Sequence, residues 1–190
     1  MNPTIVALGD SLTYGYPYSP PFSWANLMAE RLGIPCVNKG LCGDTTAGML
    51  RRFTRHVLSF APAYVIIMGG TNDLFRSVRV EAIVDNVGLL VELARQKGIV
   101  PVIGIPAPCN DSRAGELPKL CRQLRTYCTS QEVACIDFYA VLADDGGTGF
   151  RADLDSDGLH PNKQGHQLMA AAACTVMSRI LSDARERSEK

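Results

Sequence analysis

Thr4-Ile5-Val6-Ala7-Leu8 runs straight into Gly9-Asp10-Ser11-Leu12-Thr13-Tyr14-Gly15 near the start of the chain. A short, continuous, β-branched apolar run is the pattern of a strand buried on both faces, as in a parallel sheet. Glycine, aspartate and serine then end it with turn chemistry. In an open α/β sheet, ligands and chemistry gather just past the carboxyl ends of the strands. Ser11 sits at such a place. Alone, the tripeptide is also an ordinary turn or N-cap, so the rest of the chain has to supply the partners that a nucleophilic serine needs.

Outward from this stretch, apolar runs alternate with helix-like segments. Strands are expected at residues 4–8, 34–38, 64–68, 100–105 and 134–137. Helices are expected at 23–32, 45–60, 80–96 and 117–129, with a last one from near Pro161 to about Leu181. In the third helix Val84, Val87, Leu90, Val91 and Ala94 carry helical spacing. Proline suits a first helical turn. A β-α alternation with short connections implies a parallel sheet with right-handed crossovers. The expected fold is a three-layer α/β/α sandwich around a five-stranded parallel sheet of flavodoxin-like order 2-1-3-4-5. One domain spans residues 1–182, and residues 183–190 form a mixed-charge tail, a solvated helix end or frayed terminus.

Bulk composition narrows the function classes. The 190 residues are enough for a single well-buried core. Lys plus Arg equals Asp plus Glu, at 19 each, so no electrostatic pull toward nucleic acid or an anionic membrane is expected. No apolar stretch approaches the roughly 18 residues of a membrane span. No basic segment followed by a long apolar core opens the chain, so the expected location is cytoplasmic, with a mature secreted form as the alternative. The seven cysteines include no C-x-x-C pair and read as reduced, buried thiols. Cys121 and Cys128, interleaved with Leu117 and Leu124, mark the inner face of a helix.

Four segments fall at expected strand ends: Ser11; Gly40 in Asn38-Lys39-Gly40-Leu41-Cys42-Gly43-Asp44; Asn72 in Gly69-Gly70-Thr71-Asn72-Asp73; and Asp157 with His160 in Asp155-Ser156-Asp157-Gly158-Leu159-His160. A serine hydroxyl is a poor nucleophile without a base. Histidine titrates in the useful range, and a carboxylate holds its tautomer and stabilises the imidazolium. Asp157 and His160, three apart, suit one short turn. The N–H groups of Ser11 and Gly40, with the Asn72 amide, would give three donors to a developing oxyanion.

In these four blocks the chain resembles the SGNH, or GDSL-type, hydrolases, a family of serine esterases and lipases. The blocks match in order and spacing from residue 9 to residue 162. The resemblance implies Ser11 as nucleophile, His160 as base, Asp157 as orienting carboxylate, an oxyanion hole of Ser11, Gly40 and Asn72, and no metal or other cofactor. Gly43-Asp44-Thr45-Thr46 further resembles the bacterial thioesterase/lysophospholipase-like and arylesterase-like members. The expected activity is hydrolysis of short- to medium-chain carboxylic esters, extending to thioesters and lysophospholipids, through an acyl-serine. A carbohydrate O-acetyl esterase with the same triad is the alternative within the class. A catalytically silent α/β domain that binds a small ligand is the alternative outside it.

Other residues carry blander expectations. Asp10 and Asp73 read as loop braces. Asp153-x-Asp155-x-Asp157-Gly158 imitates the start of a calcium loop, but its ninth position is Pro161 and its twelfth Gln164, so calcium is not expected. Gly43-x-x-x-x-Gly48 is followed by Met49 and Leu50, not the Lys and Ser/Thr of a phosphate loop. His166 and His56 read as surface or helix-face residues, and Arg51, Arg52 and Arg55 as a solvated helix face. Tyr14, Tyr16, Tyr18, Phe22 and Trp24 cluster after the serine; some belong to the core and others wall a substrate site. Tyr14, Trp24, Leu41 and Phe75 are the candidate substrate-contacting residues.

Overall fold

The computed structural model describes residues 4–188. Its five strands are β1 (Ile5–Gly9), β2 (Cys36–Gly40), β3 (Tyr64–Met68), β4 (Val100–Ile105) and β5 (Ala134–Asp137). They pair in parallel in the order β2-β1-β3-β4-β5, the expected doubly wound topology. Along β1 the side chains alternate between two cores. Val6 and Leu8 join Val65, Ile67 and Ile103 on one face; Ile5 and Ala7 join Ile66, Met68 and Val102 on the other. This period of two explains why the run is apolar throughout.

Helices α3 (Thr46–His56), α5 (Val80–Gln96) and α6 (Leu117–Ser130) cover the first face, and α2 (Trp24–Leu32) and α8 (Lys163–Ser188) the second. In α5, Val80, Ile83, Val87, Leu90, Val91 and Ala94 are buried at helical spacing. In α6, Cys121 and Cys128 face inward with Leu117, Leu120 and Leu124, as the spacing predicts. Ser23 and Thr45 cap α2 and α3 by accepting the N–H groups of Asn26 and Gly48.

Three single-turn helices, α1 (Ser11–Tyr14), α4 (Thr71–Phe75) and α7 (Phe138–Leu142), follow β1, β3 and β5 after at most two intervening residues. They are too short to show a periodic pattern. The segment expected as one helix over 45–60 ends at His56, then makes a 3-10 turn, with Ala61 left-handed at φ 42°. β2 starts two residues later than expected and reaches Gly40, where it lies in register with Gly9. Asn162 Oδ1 accepts the N–H of Gly165, so α8 starts beyond Pro161. It continues through Ser188, so residues 183–188 of the expected tail are helical.

Candidate active site

The carboxyl ends of β1, β2 and β3 bring three of the four blocks to one edge of the sheet, and the loop before α8 returns the fourth to it. Asp10 caps α1 by accepting the N–H of Leu12 at 3.0 Å, and Ser11 is the first residue of that helix. Asn38 ties α1 to the next strand: its Nδ2 donates to the Thr13 carbonyl at 2.7 Å. Ser11 Oγ lies 3.0 Å from His160 Nε2, and His160 Nδ1 lies 2.8 Å from Asp157 Oδ2. With a carboxylate accepting at Nδ1, a neutral imidazole carries its proton there and leaves Nε2 to accept the serine hydroxyl. The serine and histidine are 9% and 8% exposed, so the pair is sheltered yet reachable.

The turn that carries the acid is built by its own aspartates. Asp157 Oδ1 accepts the N–H groups of His160 and Leu159 at 2.9 and 3.1 Å. Burial pushes the Asp157 carboxyl up, but the His160 side chain and these N–H groups outweigh it and hold the group below its ordinary range. Asp155 Oδ1 accepts the N–H groups of Asp157 and Gly158, and the Asn110 N–H donates to the Gly158 carbonyl at 2.7 Å. Asp153 pairs with Arg151. The aspartates that imitate a calcium loop are thus spent on turn formation and an ion pair.

A hollow of about 210 Å³ opens over this chain of groups, lined by Ser11, Tyr16, Cys42, Gly43, Asn72, Leu159 and His160. A larger one, about 570 Å³, lies at the opposite, amino end of β4 and β5 and holds none of the four blocks. Asn72, the second residue of α4, has Nδ2 3.4 Å from Asp10 Oδ2. Asp10 is fully buried. Desolvation, helped by the charges of Asp44 and Asp73, outweighs the Leu12 N–H and pushes its carboxyl up to about 7. Asp73 accepts the Thr46 hydroxyl at 2.6 Å and the Thr46 N–H at 3.0 Å, joining α4 to α3. Both acids brace loops, as expected.

One expected oxyanion donor, Gly40, lies apart from the hollow. The Gly40 N–H is committed to Asn38 Oδ1 at 2.9 Å, and Gly40 does not line the hollow. Its lack of a side chain serves packing, since a Cβ there would meet the Tyr14 backbone nitrogen at 2.0 Å. Gly43, left-handed at φ 76°, is the glycine that faces the site. The signal for it was a glycine in the Gly43-Asp44-Thr45 turn, where a left-handed residue exposes backbone without a side chain.

The four residues expected to contact substrate lie outside the hollow. Trp24 is fully buried against Phe138, ring centroids 4.8 Å apart, in the core under α8. Phe75 packs on the opposite core, beneath the Arg113 guanidinium. Leu41 is 51% exposed and, like Tyr14, lies outside the hollow. Tyr16, Cys42 and Leu159 line the hollow instead. The Tyr16 ring lies 4.5 Å from the His160 ring, centroid to centroid. Of the cysteines expected to be buried, only Cys121 and Cys128 are; Cys36, Cys109, Cys135 and Cys174 are half-buried and Cys42 is exposed.

Two further expectations are corrected. His166 is fully buried, with Nε2 3.4 Å from the Tyr16 carbonyl, and burial pushes its pKa down to about 4. Arg52 is not part of a solvated face. It forms an ion pair with Asp44 at 2.7 Å and faces His56 Nδ1 at 3.0 Å. His56 is half-buried; desolvation and the charges of Arg52, Lys39 and Arg55 lower its pKa.

A doubly wound sheet with a Ser-His-Asp chain at its carboxyl edge is the arrangement of a serine hydrolase. The chain belongs to the GDSL-like lipase/acylhydrolase family, whose profile matches residues 7–168. Esterase TesA of Pseudomonas aeruginosa is 26% identical over 164 residues, covering 83% of this chain and 79% of that protein. An arylesterase of Vibrio mimicus is 30% identical over 112 residues, 56% of each chain. A G-D-S-L family protein of Desulfitobacterium hafniense superposes with a TM-score of 0.86 at 30% identity, over 92% of this chain and 99% of that one.

Proposed function

We propose that the chain hydrolyses small carboxylic esters through an acyl-Ser11 intermediate. The observation that carries this reading is the continuous hydrogen-bonded chain from Ser11 Oγ through His160 to Asp157, at 3.0 and 2.8 Å. His160 Nε2 takes the hydroxyl proton as Ser11 Oγ attacks the ester carbonyl, then hands it to the leaving alcohol. A water enters, His160 removes its proton, and the acid leaves as Ser11 regains its hydrogen. Asp157 holds the tautomer and stabilises the imidazolium. The carbonyl oxygen becomes negative in both halves. The N–H groups of Ser11 and Gly43 and one Asn72 amide hydrogen are its donors; each such donor is worth roughly 2.7–4 kcal/mol in the transition state.

The hollow supports a small substrate. At about 210 Å³ it has room for the reacting ester and a short acyl chain. Among the described residues, no helix is long and apolar enough to cross a membrane. Free cysteines, one of them exposed, suit a reducing cytoplasm.

The test is hydrolysis of p-nitrophenyl acetate together with covalent labelling by a fluorophosphonate. Wild type should do both and Ser11→Ala neither. Turnover that survives Ser11→Ala would remove Ser11 as nucleophile.

A further inference from the structure

Arg52 lies on α3, outside the four sequence blocks, yet its guanidinium binds three segments that meet at the site. Nη2 donates to the Gly9 carbonyl at 2.9 Å, two residues before Ser11. Nη1 donates to the Lys39 carbonyl at 2.9 Å, next to the end of β2. Nε donates to Asp44 Oδ2 at 2.7 Å, one residue past Gly43. The side chains of Arg52 and Asp44 are only 11% and 8% exposed.

The intervening turn closes on the same atoms. The Leu41 N–H donates to the Gly9 carbonyl at 3.0 Å, and the Asp44 N–H returns to the Leu41 carbonyl at 3.0 Å. One guanidinium therefore grips both ends of the turn that carries Gly43, and also the strand end that carries Ser11. Gly48 makes room for the grip, since a Cβ there would meet Asp44 Oδ1 at 1.9 Å. A planar fork with five donors fits two carbonyls and a carboxylate at once; an ammonium does not. Charge matters as well. Asp44 already pushes the Asp10 carboxyl up, so it acts on the ground beneath the site. Without Arg52, its negative charge would oppose an oxyanion forming one residue away.

We propose that Arg52 is a positioning residue of the esterase: it sets the spacing between the Ser11 and Gly43 N–H groups and neutralises Asp44 beside them. The inference rests on the reading of the site given above.

The experiment compares full-length wild type with Arg52→Ala and Arg52→Lys, and with Arg51→Ala as an exposed control on the same helix. Each is titrated with a fluorophosphonate, so that kcat on p-nitrophenyl acetate is expressed per reactive serine, and melted by circular dichroism. A misplacement of 1 Å in a site costs roughly 100-fold. Arg52→Ala should lose that order of kcat per labelled serine with little change in KM, and methylguanidinium in the buffer should restore part of it. Arg52→Lys, which keeps the charge but not the fork, should fall between, and it tests the idea even if the alanine variant fails to fold. Full kcat per labelled serine in the Arg52 variants, with only the melting temperature lowered, overturns the proposal. A wild type that neither labels nor turns over overturns the esterase reading and this inference with it.

Discussion

Asp157 and His160 are joined twice: Asp157 accepts the His160 backbone N–H at 2.9 Å through Oδ1 and the ring Nδ1 at 2.8 Å through Oδ2. One carboxylate thus shapes the turn and orients the ring it serves. Asp157→Asn can keep the backbone bond through its amide oxygen, but it presents an NH₂ group to Nδ1. The ring then favours the tautomer with Nε2 protonated, which cannot accept from Ser11. A loss of about 10⁴-fold in kcat is expected, with the melting temperature little changed, as stopped-flow or steady-state ester hydrolysis and thermal melts will show.

The two glycines of the second block should separate cleanly. Gly43→Ala meets nothing within 4 Å but forces alanine to φ 76°, a strain of about 1–3 kcal/mol; relief of it moves the N–H. Gly40→Ala drives a Cβ into the Tyr14 backbone and should cost about 1–3 kcal/mol through overpacking. Gly43→Ala is therefore expected to lose about 100-fold in kcat, on the scale of a lost oxyanion donor. Gly40→Ala should act first on the melting temperature. The reverse pattern would assign the donor role to Gly40.

Asp10 couples pH to stability. Burial pushes its folded carboxyl up to about 7 from the ordinary 3.8. Between those values the unfolded chain has released its proton and the folded chain still holds it, so rising pH favours unfolding. Asp10→Asn removes that drift. The stability of the variant relative to wild type should climb from about pH 4 to pH 7 and level off above, measured by urea denaturation. A flat difference across that range would mean that Asp10 is ionised in the fold.

Tyr16 should set acyl length. Its ring, 42% exposed, lines the hollow beside His160. Tyr16→Ala enlarges a site of about 210 Å³. In a panel of p-nitrophenyl esters, wild type should fall off beyond short acyl chains. The variant should shift kcat/KM toward butyrate and hexanoate, by roughly 1 kcal/mol for each methylene newly accommodated. An unchanged chain-length profile would place the acyl group elsewhere.

Much of this was legible along the chain because local rules carried it. Continuous Val/Ile runs announced strands buried on both sides, and the 3.6 spacing of Val87, Leu90, Val91 and Ala94 announced a helix that covers them. Asp157-x-x-His160 is a three-residue relationship, and one turn satisfies it. What escaped lay in contacts between distant segments. Gly40 and Gly43 are three residues apart and chemically identical; only the fold tells them apart, tying the Gly40 N–H to Asn38 and setting Gly43 at the hollow. Trp24, Phe75 and Tyr16 are all aromatics near a block, and composition cannot say which way a ring turns.

By itself the sequence determined the sheet order, the helices long enough to be periodic, and the residues from which the site is drawn, because hydrophobic period and residue chemistry are local properties. Tertiary structure decided which glycine faces the hollow, that Tyr16 rather than Trp24 walls it, and that Arg52 is held at the strand ends instead of in solvent. These depend on which atoms meet across dozens of residues, where burial and hydrogen-bond partners are assigned by packing and not by the order of the chain.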